Sequence, residues 1–261
     1  MSDSAPIIEL RDVELAYGSR ILIQGISTRV QAGQIFVIMG GSGCGKSTLM
    51  RQVAGLKATE HGTILYGGVD FTAASEVDRN RLSRQFGVMF QSGALWSSMT
   101  VGENIALPLE EHSTLDPATV QEVVRLKLSY VGLQGAEDYY PSELSGGMVK
   151  RASIARAMAL DPDIVFLDEP SAGLDPLSSR RLDDLILRLR DTLGTTFVVV
   201  THELPSIFTI ADHSIFLDPQ TRSVRASGNP RDLARNATDP LVHNFLNRTE
   251  PDASPANPAK P

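Results

Sequence analysis

The sequence predicts an α/β protein in which a largely parallel sheet, built from alternating strands and helices, is interrupted by a helical insertion. Three observations carry this. A wholly apolar run at residues 35–39 passes through a glycine-rich loop into an amphipathic segment. From about residue 92 to residue 160 the texture turns helical. After that, two more apolar runs, "DIVFLDE" and "TTFVVVTHE", flank a second amphipathic stretch.

Taken in order, the opening "IIELRDVELAYGSRILIQGISTRVQAGQIFVIMG" is rich in β-branched residues and broken at Gly18, Gly25 and Gly33, so several short strands are expected, the last of them buried. Residues 47–54 read as a helix, "GTILYGG" at 62–68 as a strand, and "FGVMF" just before Gln91 as another. Within the insertion, apolar positions recur every three or four residues over 119–131, the period of a helix with one buried face. Residues 163–169 read as a strand, 176–193 as an amphipathic helix stopped near Gly194, and 195–203 as a second buried strand. The last residues, "RTEPDASPANPAKP", have no periodicity and are expected to be disordered. The expected division is a core of residues 1–91 and 161–238, a helical subdomain of 92–160, and a terminal helix and tail at 239–261.

Composition narrows the function. A chain of 261 residues with 42% hydrophobic content can bury a full-sized core. No apolar run approaches the roughly 18 residues that a membrane span needs, so work at a membrane requires a partner to hold the chain there. The N-terminus "MSDSAPIIEL" lacks a basic segment followed by an apolar one, which makes the cytoplasm the default compartment. A single cysteine, Cys44, excludes an internal disulfide. A net charge of -7 argues against a nucleic-acid binder that neutralises phosphates over a broad surface, while a local phosphate pocket stays allowed.

Such a pocket is written in residues 40–48. Gly40, Gly45, Lys46 and Ser47 satisfy G-x-x-x-x-G-K-[ST], with Ser42, Gly43 and Cys44 inside the loop and Thr48 just after it. Glycines let successive backbone N–H groups converge on an anion, and the following helix N-terminus adds its dipole. Lys46 can reach the β- and γ-phosphates of ATP, and the Ser47 hydroxyl can ligate Mg²⁺. The run "DIVFLDEP" then ends in two acids at the C-terminal edge of the expected sheet, where α/β folds bind ligands. Asp168 can complete the Mg²⁺ shell, and Glu169 can polarise a water for in-line attack on the γ-phosphate. Gln91 can touch both Mg²⁺ and that water, and His202, closing its strand, can hydrogen-bond the γ-phosphate. The other histidines, His61, His112, His213 and His243, show no metal-ligand spacing.

With these pieces in order, the chain resembles an ATP-binding-cassette (ABC) transporter ATPase over about residues 7–247. The stretch "LSGGMVKRASIARAMALDPDIVFLDEPSAGLDP", residues 144–176, is similar to the family's signature motif, signature helix, Walker B strand and D-loop in unbroken sequence. The resemblance implies the P-loop NTPase (RecA-like) fold, and two chains sandwiching two ATP molecules head to tail. Ser145, Gly146 and Gly147 of one chain would then cap the γ-phosphate held by the other, again a helix N-terminus aimed at an anion. It also implies that Tyr17 stacks on adenine, that Gln91 belongs to the Q-loop, that Glu169 is the catalytic carboxylate, that Asp175 belongs to the D-loop, and that His202 is the switch histidine.

Met148 departs from the general signature, which has Gln there. "SGGM", with "FQSGALWSSMTVGENIALPL" (residues 90–109) and "DPLVHNFLNR" (residues 239–248), is similar to the ATPase subunits of MCE-type phospholipid transporters that maintain outer-membrane lipid asymmetry. That resemblance implies a multi-span permease of the MlaE type, an MCE-domain lipid-binding protein, often a STAS-domain protein, and a place on the cytoplasmic face of the inner membrane. Leu95, Trp96 and Met99 are then candidates to grip the permease, or else core residues of the insertion. Leu241, Val242, Phe245 and Leu246 form one helical face, for docking or for packing on the chain's own core. Other readings stay open: an importer ATPase for amino acids or other small polar solutes, a DNA-repair or chromosome-maintenance ATPase, and a nucleotide sensor that never hydrolyses.

Overall fold

A computed structural model describes residues 5–17 and 20–249. The chain opens with β1 (Ile8–Tyr17), β2 (Arg20–Val30), β3 (Ile35–Gly40), α1 (Lys46–Val53), β4 (Thr63–Tyr66), β5 (Val69–Asp70), α2 (Glu76–Ser83) and β6 (Phe86–Met89). Helices follow: α3 (Val101–His112), α4 (Pro117–Tyr130), a 3-10 turn (Pro141–Glu143) and α5 (Gly146–Ala157). Strand and helix then alternate through β7 (Ile164–Asp168), α6 (Pro176–Leu193), β8 (Thr196–Val200) and α7 (Leu204–Ile210), and the chain closes with β9 (His213–Asp218), β10 (Ser223–Gly228), α8 (Pro230–Asn236) and α9 (Pro240–Asn247).

The expected α/β class holds. Six strands form one sheet in the order β10-β9-β3-β8-β7-β6, parallel except for β10 at its edge. Its central strands are buried on both faces, which is why their sequences are continuous apolar runs. Side chains alternate between two cores. Ile35, Val37 and Met39 of β3, Val165 and Leu167 of β7, and Phe197 and Val199 of β8 pack toward α3, α4, α5 and α6. Phe36, Ile38, Phe166, Val198 and Val200 pack the other way, against α1 and a second, antiparallel sheet ordered β2-β1-β4-β5.

The opening corrects one expectation. Instead of several short strands, residues 8–30 make two long ones paired from Ile8↔Val30 to Tyr17↔Arg20. Gly25 does not break β2; it sits at φ 67 opposite Asp12 at φ 51, where the register shifts, so it serves a bulge. Gly18 lies outside the described residues, as does the tail from residue 250 onward. Gly33 does make a turn, at φ 71, with its N–H bonded to Thr196 Oγ1 at 3.0 Å.

Helix limits follow local chemistry. Asp116 caps α4 ahead of Pro117, Thr100 and Glu103 form a capping box on α3, and α6 spans the residues its pattern predicts, ending at Gly194 in the left-handed region, φ 70. Asn104 of α3 is fully buried and holds the preceding loop, accepting from Trp96 N–H at 2.7 Å and donating to the carbonyls of Trp96, Met99 and Thr100. Leu95 packs against the core, whereas the Trp96 side chain is 60% exposed. In α9 the expected single face divides: Val242 and Leu246 are buried in the chain's own core, Phe245 meets Phe216 edge-on with centroids 5.1 Å apart, and Leu241 stays exposed.

Candidate nucleotide-binding and hydrolytic site

Sequence places four turns at the C-terminal ends of parallel strands, and the sheet brings them together. The loop after β3 needs its glycines. Gly40 takes φ 147, and a Cβ there would lie 2.5 Å from Leu217 O; Gly45 takes φ 96, and a Cβ there would lie 2.5 Å from a Leu15 methyl. Gly45 caps α1 with no side-chain bond, so the first-turn N–H groups face the loop. Lys46 is buried and folds back, donating to Gly40 O at 3.1 Å and Gly41 O at 3.0 Å. This is a flexible cation resting on its own loop, within reach of any anion the loop receives.

Gly40, Ser42, Gly43, Gly45, Lys46, Ser47 and Thr48 line one cleft of about 540 Å³ with Gln91, Glu169 and His202. Cys44 departs from this group. Its side chain is wholly buried in the core beneath the loop, and burial pushes the thiol pKa up against the pull of Lys46. Only its backbone faces the loop, and the buried, neutral thiol is a poor nucleophile.

Ser47 Oγ donates to Asp168 Oδ1 at 2.7 Å, and both line an adjoining cleft with Gln91 and Arg51. A hydroxyl, a buried carboxylate and a side-chain amide suit a hard oxygen-seeking cation that keeps several waters, as Mg²⁺ does. Among the described residues no group of three or more His, Cys, Asp or Glu gathers as a metal site.

Glu169 is the most constrained residue of the site. It follows β7 with φ 47, a left-handed conformation that costs a non-glycine residue about 1–2 kcal/mol. Its N–H donates to Val200 O at 2.8 Å, and its Oε1 accepts from His202 Nδ1 at 2.8 Å. Its Oε2 is buried and has no hydrogen-bond partner among the described residues. A buried carboxylate oxygen without a partner keeps an unused acceptor site, in a residue that lines the cleft.

The remaining expected residues lie apart from this cleft. Ser145 caps α5, accepting from Met148 N–H at 3.3 Å, and with Gly147 lines a separate cleft of about 330 Å³ between α5 and α6; Gly146 is exposed beside it. Met148 packs against the core, so the residue standing where the general signature has Gln acts as a hydrophobic anchor. Asp175 accepts from the N–H groups of Leu177 and Ser178, both at 3.0 Å, which caps α6; the Ser178 hydroxyl first, and then these N–H groups, hold its pKa down. Tyr17 ends β1, and its side chain lies outside the described part of the structure.

A profile of the ABC transporter family matches residues 23–172. The chain belongs to the ABC transporter family. It is 42% identical over 242 residues to the intermembrane phospholipid transport system ATP-binding protein MlaF of Escherichia coli strain K12, covering 93% of this chain and 89% of that one. It is 36% identical over 240 residues to the probable ribonucleotide transport ATP-binding protein mkl of Mycobacterium leprae, covering 92% of this chain and 68% of that one. A solved dimeric ATP-binding cassette, in a post-hydrolysis state with ADP and Pi, superposes with a TM-score of 0.76 at 26% identity over 85% of this chain and 98% of that one.

Within the ABC cassette, residues enter the site that the sequence does not place there. Leu22 and Phe245 line the loop cleft, and Lys150 of α5 stands behind Gln91 and Glu169. The first two belong to a strand and a terminal helix distant in sequence, so no local pattern ties them to the phosphate loop, although Phe245 reads as part of a helical face. Lys150 is one of two adjacent cations in "MVKR", and only its burial distinguishes it.

Proposed function

We propose that the chain is the ATP-hydrolysing motor of a transporter that moves phospholipid between the inner and outer membranes, held on the cytoplasmic face of the inner membrane by a multi-span permease. The observation that carries the hydrolytic part is Glu169, which lines the cleft of the phosphate loop, is anchored by His202 through one oxygen and keeps the other, buried oxygen without a partner among the described residues. In this reading Lys46 and the first-turn amides of α1 hold the phosphates, and Ser47, Asp168 and Gln91 hold Mg²⁺. Bound Mg²⁺ supplies charge neutralisation across the phosphate oxygens. Glu169 orients the attacking water and takes up its proton, and His202 keeps the carboxylate in place.

Ser145, Gly146 and Gly147 complete the site of a second copy, an arrangement supported by their distance from this chain's own loop cleft and by the dimeric relative with ADP and Pi. Asp175 and Tyr17 belong to the same assembled site. Residues 92–160 form the subdomain that presents the signature, and residues 1–91 and 161–238 the core that binds the nucleotide. The permease, of MlaE type, meets the exposed Trp96 and a cleft of about 520 Å³ lined by Arg84, Phe86, Pro108, His112 and Arg156. An MCE-domain lipid-binding protein and a STAS-domain protein complete the assembly.

Phospholipid as the cargo is supported by likeness to MlaF over nearly the whole of both chains. A second reading, transport of a polar solute, is favoured by the mycobacterial relative named for ribonucleotide transport. Among the described residues no helix is long and apolar enough to cross a membrane, so either reading needs a separate permease. The test is to isolate the chain from its host's membranes and identify by mass spectrometry the proteins and lipids that accompany it. Recovery of an MCE-domain protein with phospholipid supports the lipid reading, and recovery of a small-solute permease overturns it.

A further inference from the structure

Lys150 is 7% exposed, an unusual burial for an ammonium group, and it is spent on two backbone carbonyls. Its Nζ donates to Gln91 O and, at 3.5 Å, to Glu169 O. Burial lowers its pKa, opposed by the charges of Glu169 and Asp168. The same helix sends a second cation to the same loop: Arg156 donates to Ala94 O at 2.6 Å and Gly93 O at 3.2 Å. Gly93 lies so close to α5 that a Cβ there would sit 2.5 Å from Ser153 Oγ. The loop that starts at Gln91 is thus strapped to α5, the helix that Ser145 caps.

Glu169 needs such support. A non-glycine residue at φ 47 persists only where its surroundings over-determine it. Its N–H and side chain are held by Val200 and His202, and its carbonyl accepts from Ala172 N–H at 3.2 Å and from Lys150.

We propose that Lys150 is a positioning residue for hydrolysis, a single ammonium that ties the Gln91 loop to the backbone of Glu169 so that the loop's placement is felt at the carboxylate. This deepens the proposed function and rests on Glu169 acting as the hydrolytic carboxylate. Lys150 touches neither substrate nor reacting atoms; it acts through two carbonyls on a helix whose other end serves the second copy.

The test uses the transporter complex purified from membranes, with steady-state ATPase kinetics for the native chain and for Lys150→Met, Lys150→Arg and Glu169→Gln. Lys150→Met is expected to lower kcat by about 10- to 100-fold with KM within about threefold, because misplacing a catalytic group by an ångström costs rate rather than binding. Lys150→Arg, whose fork spans two carbonyls, is expected to recover much of kcat. Stimulation by the permease, read as complex over isolated chain, is expected to fall in the Met variant, a change that plain loss of folded protein does not produce. If Lys150→Met does not assemble, Lys150→Gln, an uncharged donor on a shorter side chain, carries the same readout. A native kcat and native stimulation in an assembled Met or Gln variant overturn the proposal while Glu169→Gln is inactive. An active Glu169→Gln would instead overturn the reading on which it rests.

Discussion

Replacing Asp183 with Asn should make the protein more stable at neutral pH and hardly change it in acid. Asp183 lies on the inner side of α6, 3% exposed, and accepts from Ser206 Oγ of α7 at 2.9 Å. Burial raises its pKa from 3.8 to about 6, with the Ser206 hydroxyl and Arg180 pulling it down and Asp184 adding to the rise. Folding therefore favours the protonated carboxyl. Below pH 3.8 both states hold the proton and no pH-dependent cost arises; between 3.8 and about 6 the unfolded chain releases its proton first and folded stability drains away; above about 6 the loss is constant. A shift of about two units corresponds to about 3 kcal/mol. Asn keeps an acceptor for Ser206 without the charge, so the variant is expected to gain up to about 3 kcal/mol at neutral pH and about half of that near pH 5. Urea unfolding followed by circular dichroism at both pH values measures this. An equal stability difference at the two values would refute the reasoning, because the effect would then come from packing and not from the proton.

Other substitutions test the site and the packing around it. His202→Ala removes the only side chain holding Glu169 Oε1 among the described residues, and is expected to lower ATP turnover by about 10²- to 10³-fold with nucleotide affinity nearly unchanged, read by kinetics and calorimetry. Gly45→Ala puts a Cβ 2.5 Å from Leu15 at φ 96; it is expected to cost about 1–3 kcal/mol and to abolish the rise in Tm on adding ATP. Lys127 is buried beside Asp161, which is 75% exposed. Lys127→Met is therefore expected to be neutral or stabilising, while Asp161→Ala strands the ammonium and costs about 1–3 kcal/mol in chemical unfolding.

Legibility in the sequence tracks how local the cause is. The loop at residues 40–48, the acids at 168 and 169 and the histidine at 202 each follow a continuous apolar run, and a run of that kind forces a buried strand whose end is a fixed place. α6 was legible to the residue because its cap, period and terminal glycine agree. Where the cause is tertiary the sequence is mute. α2 buries only Leu82, so no apolar period announces it, and its Ser75 cap with Asp78 and the Arg79 bond to Phe71 O shape it instead. Gly25 looks like a break and is a bulge, because the partner strand decides which. The terminal helix reads as one face, yet Leu241 and Val242 point different ways once the sheet occupies one side. Cys44 stands within a phosphate-binding pattern and turns its thiol into the core. Lys150 became visible only when two distant carbonyls arrived beside it.

The burial of Cys44 has a practical side. The chain's single thiol is closed to reagents, so one cysteine introduced at the surface can be coupled to a dye in the otherwise native protein. Thr249 borders the same apolar hollow as Gly41 of the phosphate loop, which makes it a natural attachment point. A fluorophore there would stand beside the nucleotide's doorway, and its colour and brightness would record, in real time and in a working transporter, each arrival and departure.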